Sequence, residues 1–379
     1  MSCLSANLTC LNGGSCTGNS CICLNECFFG NRCEYYFNLF ELSMTSAILQ
    51  DTLYAKIGYV IAFAALATIG LVNNILALIT FMREPIRITA CGTYLIIYCS
   101  FNIVLMLLIY TDIISFFDYN KDTYRQWDCF YLPYFCLTFD YIYIWMSVAI
   151  IIEKLLMQCL NFPMFGSRLR AVIISFLIII VIALSNIPEI KVRNLSQTLT
   201  NQTVCSYNVL NSHAWYRAQY ILSYSHIIIP CVAHVIAMIS ILTTIVRRKI
   251  YIRGYTRSVK LYRVWLEQLY INRDFFISPL AIIIFILPHA IIHFILLPQC
   301  VKDNGMVQVR LHSSVVLLLH VPAALPFAIY VYPNRIYFKE FTKTNVYRKL
   351  CCYSRRQKEY IHKLIAHPWT ITGNGRNKT

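Results

Sequence analysis

The sequence predicts an all-α membrane protein, a bundle of seven transmembrane helices with its N-terminus outside. Three observations carry that prediction. The 379 residues are 58% hydrophobic with a mean hydropathy of +0.56, well above the apolar share of soluble domains. Seven stretches are long and carry no Lys, Arg, Asp or Glu apart from Asp140: 57–81, 88–111, 129–152, 171–188, 218–246, 275–298 and 311–334. About 20 apolar residues span a bilayer as a helix, and none of the stretches shows the polar–apolar alternation of a barrel strand. Finally, the positive charge is lopsided. Arg32, Lys56, Lys121, Arg125, Lys191, Arg193, Arg217, Lys302 and Arg310 fall on one side of the spans, leaving 24 of the 33 Lys and Arg on the other. Positive residues stay cytoplasmic, so the N-terminus is placed outside and the C-terminus inside. The formal net charge of +16 follows from this bias and from attraction to anionic lipid. It does not point to nucleic acid.

Residues 1–34 read as a separate module. Seven cysteines fall there: Cys3, Cys10, Cys16, Cys21, Cys23, Cys27 and Cys33. So short a segment cannot bury a core and needs disulfides. The run around Asn12-Gly13-Gly14, Cys21-Ile22-Cys23 and Gly30 resembles an EGF-like domain. The resemblance implies the pairs Cys3–Cys16, Cys10–Cys21 and Cys23–Cys33, with Cys27 outside the six-cysteine pattern. Residues 35–55 read as an extracellular stalk. No cleavable leader is legible, so either the first span serves as a signal anchor or the start lies upstream.

Along the membrane domain, 56–334, each span carries a polar mark. Asn73 and Asn74 lie in the first and Asn102 in the second. The third opens at Cys129, passes Asp140 at mid-depth and closes on Glu153-Lys154-Leu155. A carboxylate at that depth is costly unless it faces protein or water, so Asp140 is a functional candidate. Asp140 lies eleven residues past Cys129, about 16 Å along a helix. His226 lies in span five, His289 and His293 in span six, and His320 in span seven, with prolines in spans five to seven. The loop 189–217 holds Cys205 and the glycosylation sequons at Asn194 and Asn201; a third is at Asn7. All three lie on the side that the charge bias places outside. Residues 247–274 are strongly basic and read as inward extensions of spans five and six. Residues 335–350 read as an amphipathic helix on the inner leaflet, ahead of a cytoplasmic tail, 351–379, that begins with the palmitoylation candidates Cys351 and Cys352.

Over roughly 56–350 the chain resembles a rhodopsin-like (class A) G-protein-coupled receptor, in divergent form. Asn74 resembles the family's span-one Asn. Glu153-Lys154-Leu155 resembles its acidic-Arg-aromatic triplet, and Pro326-Phe-Ala-Ile-Tyr330 a loosened version of its final Asn-Pro-x-x-Tyr. Pro188, Pro230, Pro288 and Pro326 fall where its prolines fall. Departures include Asn102 for Asp, Leu325 for Asn, Lys154 for Arg and Ile286 for Trp. Span seven has no Lys, so a retinal Schiff base is excluded.

The resemblance implies a plasma-membrane receptor that binds an extracellular ligand and activates a heterotrimeric G protein. It implies a Cys129–Cys205 bridge, a ligand cavity reaching Asp140, His289, His293 and His226, and coupling through Glu153, Lys154, Leu155 and Tyr330. Acidic groups and scarce basic ones in the outer halves of the spans tilt the ligand toward a peptide or a cationic small molecule. Of the ten extracellular cysteines, Cys27 and Cys300 are then left over, and the expectation is that they pair. No cofactor and no enzymatic activity are expected. Two alternatives stand beside this reading. One is a seven-span zinc hydrolase using His289-x-x-x-His293 with Asp140 and His320; the other is an adhesion protein led by the EGF-like module.

Overall fold

The computed structural model describes residues 51–117, 126–160, 167–197, 203–207, 213–253, 261–296 and 306–349, with short pieces of the first 36 residues. Those pieces form three two-stranded antiparallel ladders: β1 (Ser2–Cys3) with β2 (Leu8–Thr9), β3 (Ser15–Thr17) with β4 (Ser20–Ile22), and β5 (Phe28–Phe29) with β6 (Tyr35–Tyr36). Cys16 lies opposite Cys21. Cys21 and Cys23 are both disulfide-bonded. Their expected partners Cys10 and Cys33 lie outside the described residues, as do Cys27, Cys300, Cys351, Cys352, Asn7 and Asn201. Cys3, Cys16, Asn194 and His293 are placed by backbone alone.

Among the described residues, six helical segments are long and apolar enough to cross a membrane: Leu53–Phe81, Ala90–Ile114, Trp127–Cys159, Arg168–Val192, Ala214–Tyr251 and Phe275–Ile292. They mark an all-α, multi-pass membrane protein. The first is helix α1 (Leu53–Phe81), which has a buried and an exposed stripe. Phe63, Ala67, Gly70, Asn74, Ala77 and Phe81 are buried, whereas Ile61, Ile69, Val72, Ile75 and Met82 are 47–62% exposed. Three- and four-residue spacing puts each set on one face. Exposed isoleucines on that scale suit a lipid solvent. A Cβ on Gly70 would clash with Met106 and lie 3.2 Å from Ala324, so glycine is what lets three helices meet there.

A short helix, α2 (Glu84–Arg87), turns the chain into α3 (Ala90–Phe117). One turn of π-helix, Trp127–Tyr131, opens α4 (Leu132–Leu160). The fourth apolar stretch is α5 (Arg168–Ser185), continued after Asn186 by α6 (Ile187–Val192). β7 (Arg193–Gln197) and β8 (Thr203–Tyr207) then form a hairpin with Leu195 opposite Cys205. α7 (His213–Arg253) is 41 residues long, about 60 Å at 1.5 Å per residue, and so overshoots a bilayer. α8 (Leu261–Ile271) leads into α9 (Arg273–Leu296). Lys249 and Glu267 form an ion pair of 2.6 Å between α7 and α8. The described part of the basic segment 247–274 is thus helical, running on from span five and into span six.

The last apolar stretch is not one rod. α10 (Met306–Ala324) contains Arg310 and Pro322, and stops at Leu325 before a π-turn over Phe327–Val331. The cause is local. Pro326 has no N–H to give the carbonyl four residues back, and at that carbonyl the Tyr98 hydroxyl donates to Pro322 O at 3.1 Å. Neighbouring carbonyls are used the same way. Asn74 Nδ2 donates to Ala323 O at 2.8 Å, and the Tyr143 hydroxyl to Leu319 O at 2.6 Å. Side chains from α1, α3 and α4 therefore grip the proline-interrupted stretch. These bonds give partners to carbonyls along the interrupted stretch. Tyr98 also packs edge-on against Tyr330 and Tyr143.

α11 (Arg335–Thr342) begins at Asn334, whose Oδ1 accepts from the N–H groups of Ile336 and Tyr337, as an N-cap should. A turn at Lys343–Thr344 divides it from a second helical piece, 345–349. The expected helix over 335–350 is two short segments.

Candidate functional site

One helix, α4, carries the outer, middle and inner features of the candidate site. At its outer end Cys129 is joined to Cys205 of β8, with both residues fully buried and 5.3 Å between their Cα atoms. The bridge closes across 76 residues. A second tie sits beside it. Arg193 on β7 pairs with Glu189 of α6, Nη2 to Oε1 at 2.5 Å, with side-chain exposures of only 7% and 0%. Breaking a buried pair by removing one partner costs more than the same change at the surface. In the sequence, Lys191 and Arg193 are merely loop charges; it is the four-residue spacing to Glu189 that marks the pair.

At mid-depth, Asp140 Oδ1 lies 3.0 Å from His320 Nδ1. The two side chains are 3% and 8% exposed. This joins α4 to α10 across 180 residues. The expected set around Asp140 divides among different neighbours. His289 of α9 packs near the His312 ring at 6.1 Å. His226 is buried between helices: Trp145 Nε1 donates to its Nδ1 at 3.0 Å, Ser185 Oγ lies 2.8 Å from its Nε2, and the Tyr141 ring stacks on it at 4.7 Å. The Trp145 bond fixes the tautomer. Nδ1 accepts, so Nε2 carries the proton and donates to Ser185 Oγ, which itself donates to Ile182 O. In this tautomer the ring does not act as a base on that serine. Ser147 likewise gives its proton to Ile144 O and meets His234 Nε2 at 3.0 Å.

At the inner end Glu153 is 4% exposed, and its Oε1 has no hydrogen-bond partner among the described residues. Lys154 Nζ lies 5.3 Å from the centroid of the Phe275 ring, near the start of α9. Leu155 packs beside it against a small cluster of Ile151, Ile241, Val246 and Phe276. Tyr330 is buried against Tyr98 rather than facing the inner surface.

No known family model and no curated protein matches this chain in sequence. Its geometry therefore carries the functional reading. Among the described residues, no three His, Cys, Asp or Glu side chains converge as metal ligands. The His293 side chain, required by the zinc alternative, lies outside them.

Two further features were not legible as site residues. Phe275 reads in the sequence as one more apolar residue of span six. Arg310 and Asp51 were placed among outer charges and stalk, yet they form a two-point clasp: Nε to Oδ2 at 2.9 Å and Nη2 to Oδ1 at 2.6 Å. The Arg310 guanidinium hydrogen bond is the main cause that holds the Asp51 carboxyl below its ordinary value, with burial opposing it. The clasp ties the start of α1 to α10.

Proposed function

We propose that this chain is a divergent seven-span receptor of the plasma membrane, with an EGF-like module outside, that binds an extracellular ligand and activates a heterotrimeric G protein. The observation that carries this reading is the joint placement on α4. A disulfide-anchored hairpin sits at its outer end, a buried carboxylate at its middle, and a cation set against α9 at its inner end. A ligand that moves α9 or α10 relative to α4 changes both inner and outer contacts of one rigid rod. α10 serves as the seventh span, held by the side-chain bonds to its carbonyls.

The ligand is a peptide or small molecule with a cationic group, taken up by Asp140 in place of His320. In its absence His320 satisfies the carboxylate, and exchange of that partner loosens α4 from α10. Such an exchange gives the ligand a different contact in each of two states, which any ligand-driven shift requires. At the inner end, Lys154 leaves the Phe275 ring as α9 swings outward and engages the G protein. Arg247, Arg248 and Lys249 near the end of α7 and Arg273 at the start of α9 add positive charge on the side that the charge bias places inside. Glycans at Asn7, Asn194 and Asn201 and acyl chains at Cys351 and Cys352 belong to the same reading, as does a Cys27–Cys300 tie to the module. The test is a G-protein reporter in cells expressing the full chain, screened against peptides and amines. A saturable response that requires Asp140 supports the reading.

A further inference from the structure

At the opposite end of α1 from the Asp51–Arg310 clasp lies a groove of about 490 Å³, lined by Leu78, Ile79, Met82, Arg83, Lys343, Thr344, Asn345 and Val346. Two cations from distant parts of the chain meet there. Arg83 and Lys343 have side-chain exposures of 45% and 46%. Between them is Glu340, whose side chain is only 9% exposed. Lys343 Nζ pairs closely with Glu340 Oε1 at 2.5 Å. Arg83 does not: its guanidinium meets Glu340 at 3.9 Å, from Nε to Oε2, too long for a hydrogen bond. Two cations face one carboxylate, and a guanidinium fork built for bidentate oxyanions is left reaching toward the groove.

The other wall is apolar and continuous with the lipid face of α1. Ile61, Ile69, Val72 and Ile75 are exposed along one stripe; Ile79 and Met82 extend it into the groove. A ligand seated here would therefore have its charged group at Arg83 and Lys343 and its apolar part along that stripe. The positive-inside bias places this end of α1 at the cytoplasmic leaflet, where the anionic lipid is found.

We propose that the groove is a binding site for one anionic glycerophospholipid of the inner leaflet. Its phosphate bridges Arg83, before α2, to Lys343, after α11, and its acyl chains lie along the exposed stripe of α1. The bound lipid clamps the α11 segment to the first span. The inference is independent of the receptor reading, since it needs only the groove, its charges and a membrane.

The test uses the full chain purified in detergent, with phosphatidylserine or phosphatidylcholine added and the bound lipid counted by native mass spectrometry. Wild type should retain one phosphatidylserine in preference to phosphatidylcholine. Arg83→Gln with Lys343→Gln should weaken that retention about fivefold per cation, so roughly 25-fold for the pair. Arg335→Gln with Lys339→Gln removes the same charge from α11 outside the groove and should leave the retained lipid in place. Val346→Trp fills the groove with every charge intact and should also expel it; should the Arg83/Lys343 variant fail to fold, this variant alone decides. Equal loss in both double variants would mean a diffuse basic surface and overturn the site, as would retention in Val346→Trp or in Arg83→Gln/Lys343→Gln.

Discussion

Lys154 Nζ sits 5.3 Å from the centre of the Phe275 ring, so the inner ends of α4 and α9 are joined by a cation–π contact. Lysine presents a compact charge rather than the planar fork of arginine, and an aromatic face attracts such a charge through its ring quadrupole. If this contact holds the resting arrangement, Phe275→Leu should raise ligand-independent signalling about fivefold, the shift produced by ~1 kcal/mol. Basal reporter activity normalised to surface expression measures it; an unchanged basal level would remove the contact from the resting state.

Asp140→Asn keeps the shape of the buried side chain and removes its charge. Agonist potency should fall at least about tenfold, the factor that corresponds to 1.4 kcal/mol, while surface expression holds. His320→Gln separates the roles, because it keeps a hydrogen-bond donor near Asp140 but removes the imidazole. Potency should be maintained or improved there, since a neutral amide donor competes with a ligand cation more weakly than an imidazole that can take up a proton. Unaltered potency in Asp140→Asn would show that the ligand cation binds elsewhere.

Cys129→Ser should cut surface expression strongly. The bridge closes a long loop and pins a hairpin against the bundle, and native disulfides contribute about 2–4 kcal/mol. Flow cytometry of intact cells against total protein gives the ratio. A normal ratio in the serine variant would make the bridge dispensable for folding.

The Asp51–Arg310 clasp makes stability pH-dependent with a definite sign. The carboxyl is held below its ordinary value of roughly 3.9, so the unfolded chain takes up the proton first. The clasp's contribution is therefore full above about pH 4 and is lost as pH falls through the lower folded value. Wild type should melt higher than Asp51→Asn at neutral pH, with the two curves converging in acid. A gap independent of pH would place the effect in packing rather than charge.

Much of the fold is legible in the sequence because the bilayer writes it there. Long uncharged runs dictate where α1, α3, α4, α5, α7 and α9 cross, and the disulfide between Cys129 and Cys205 falls where the resemblance places it. The last stretch was harder to read. Its apolar run continues through Pro326, where the missing N–H interrupts the helix; that signal is local, but the hydrogen bonds from Asn74, Tyr98 and Tyr143 that hold the interrupted stretch are encoded in no local pattern. The site was legible one residue at a time and not as pairs. Asp140 stands out by its depth alone, whereas its partner depends on which face of α10 turns inward. Among the six histidines in the last three apolar stretches, periodicity does not single out His320. Phe275 gives no signal at all, since its role depends on Lys154 arriving from another helix.

The most direct test of the receptor reading is G-protein activation by Lys154→Ala and Lys154→Arg, measured beside wild type with ligand binding and surface expression in the same cells. The account predicts that Lys154→Ala abolishes or strongly reduces activation with binding and expression nearly intact, and that Lys154→Arg signals. Normal activation by Lys154→Ala would contradict coupling through the inner end of α4 and leave the helical bundle without the proposed mechanism.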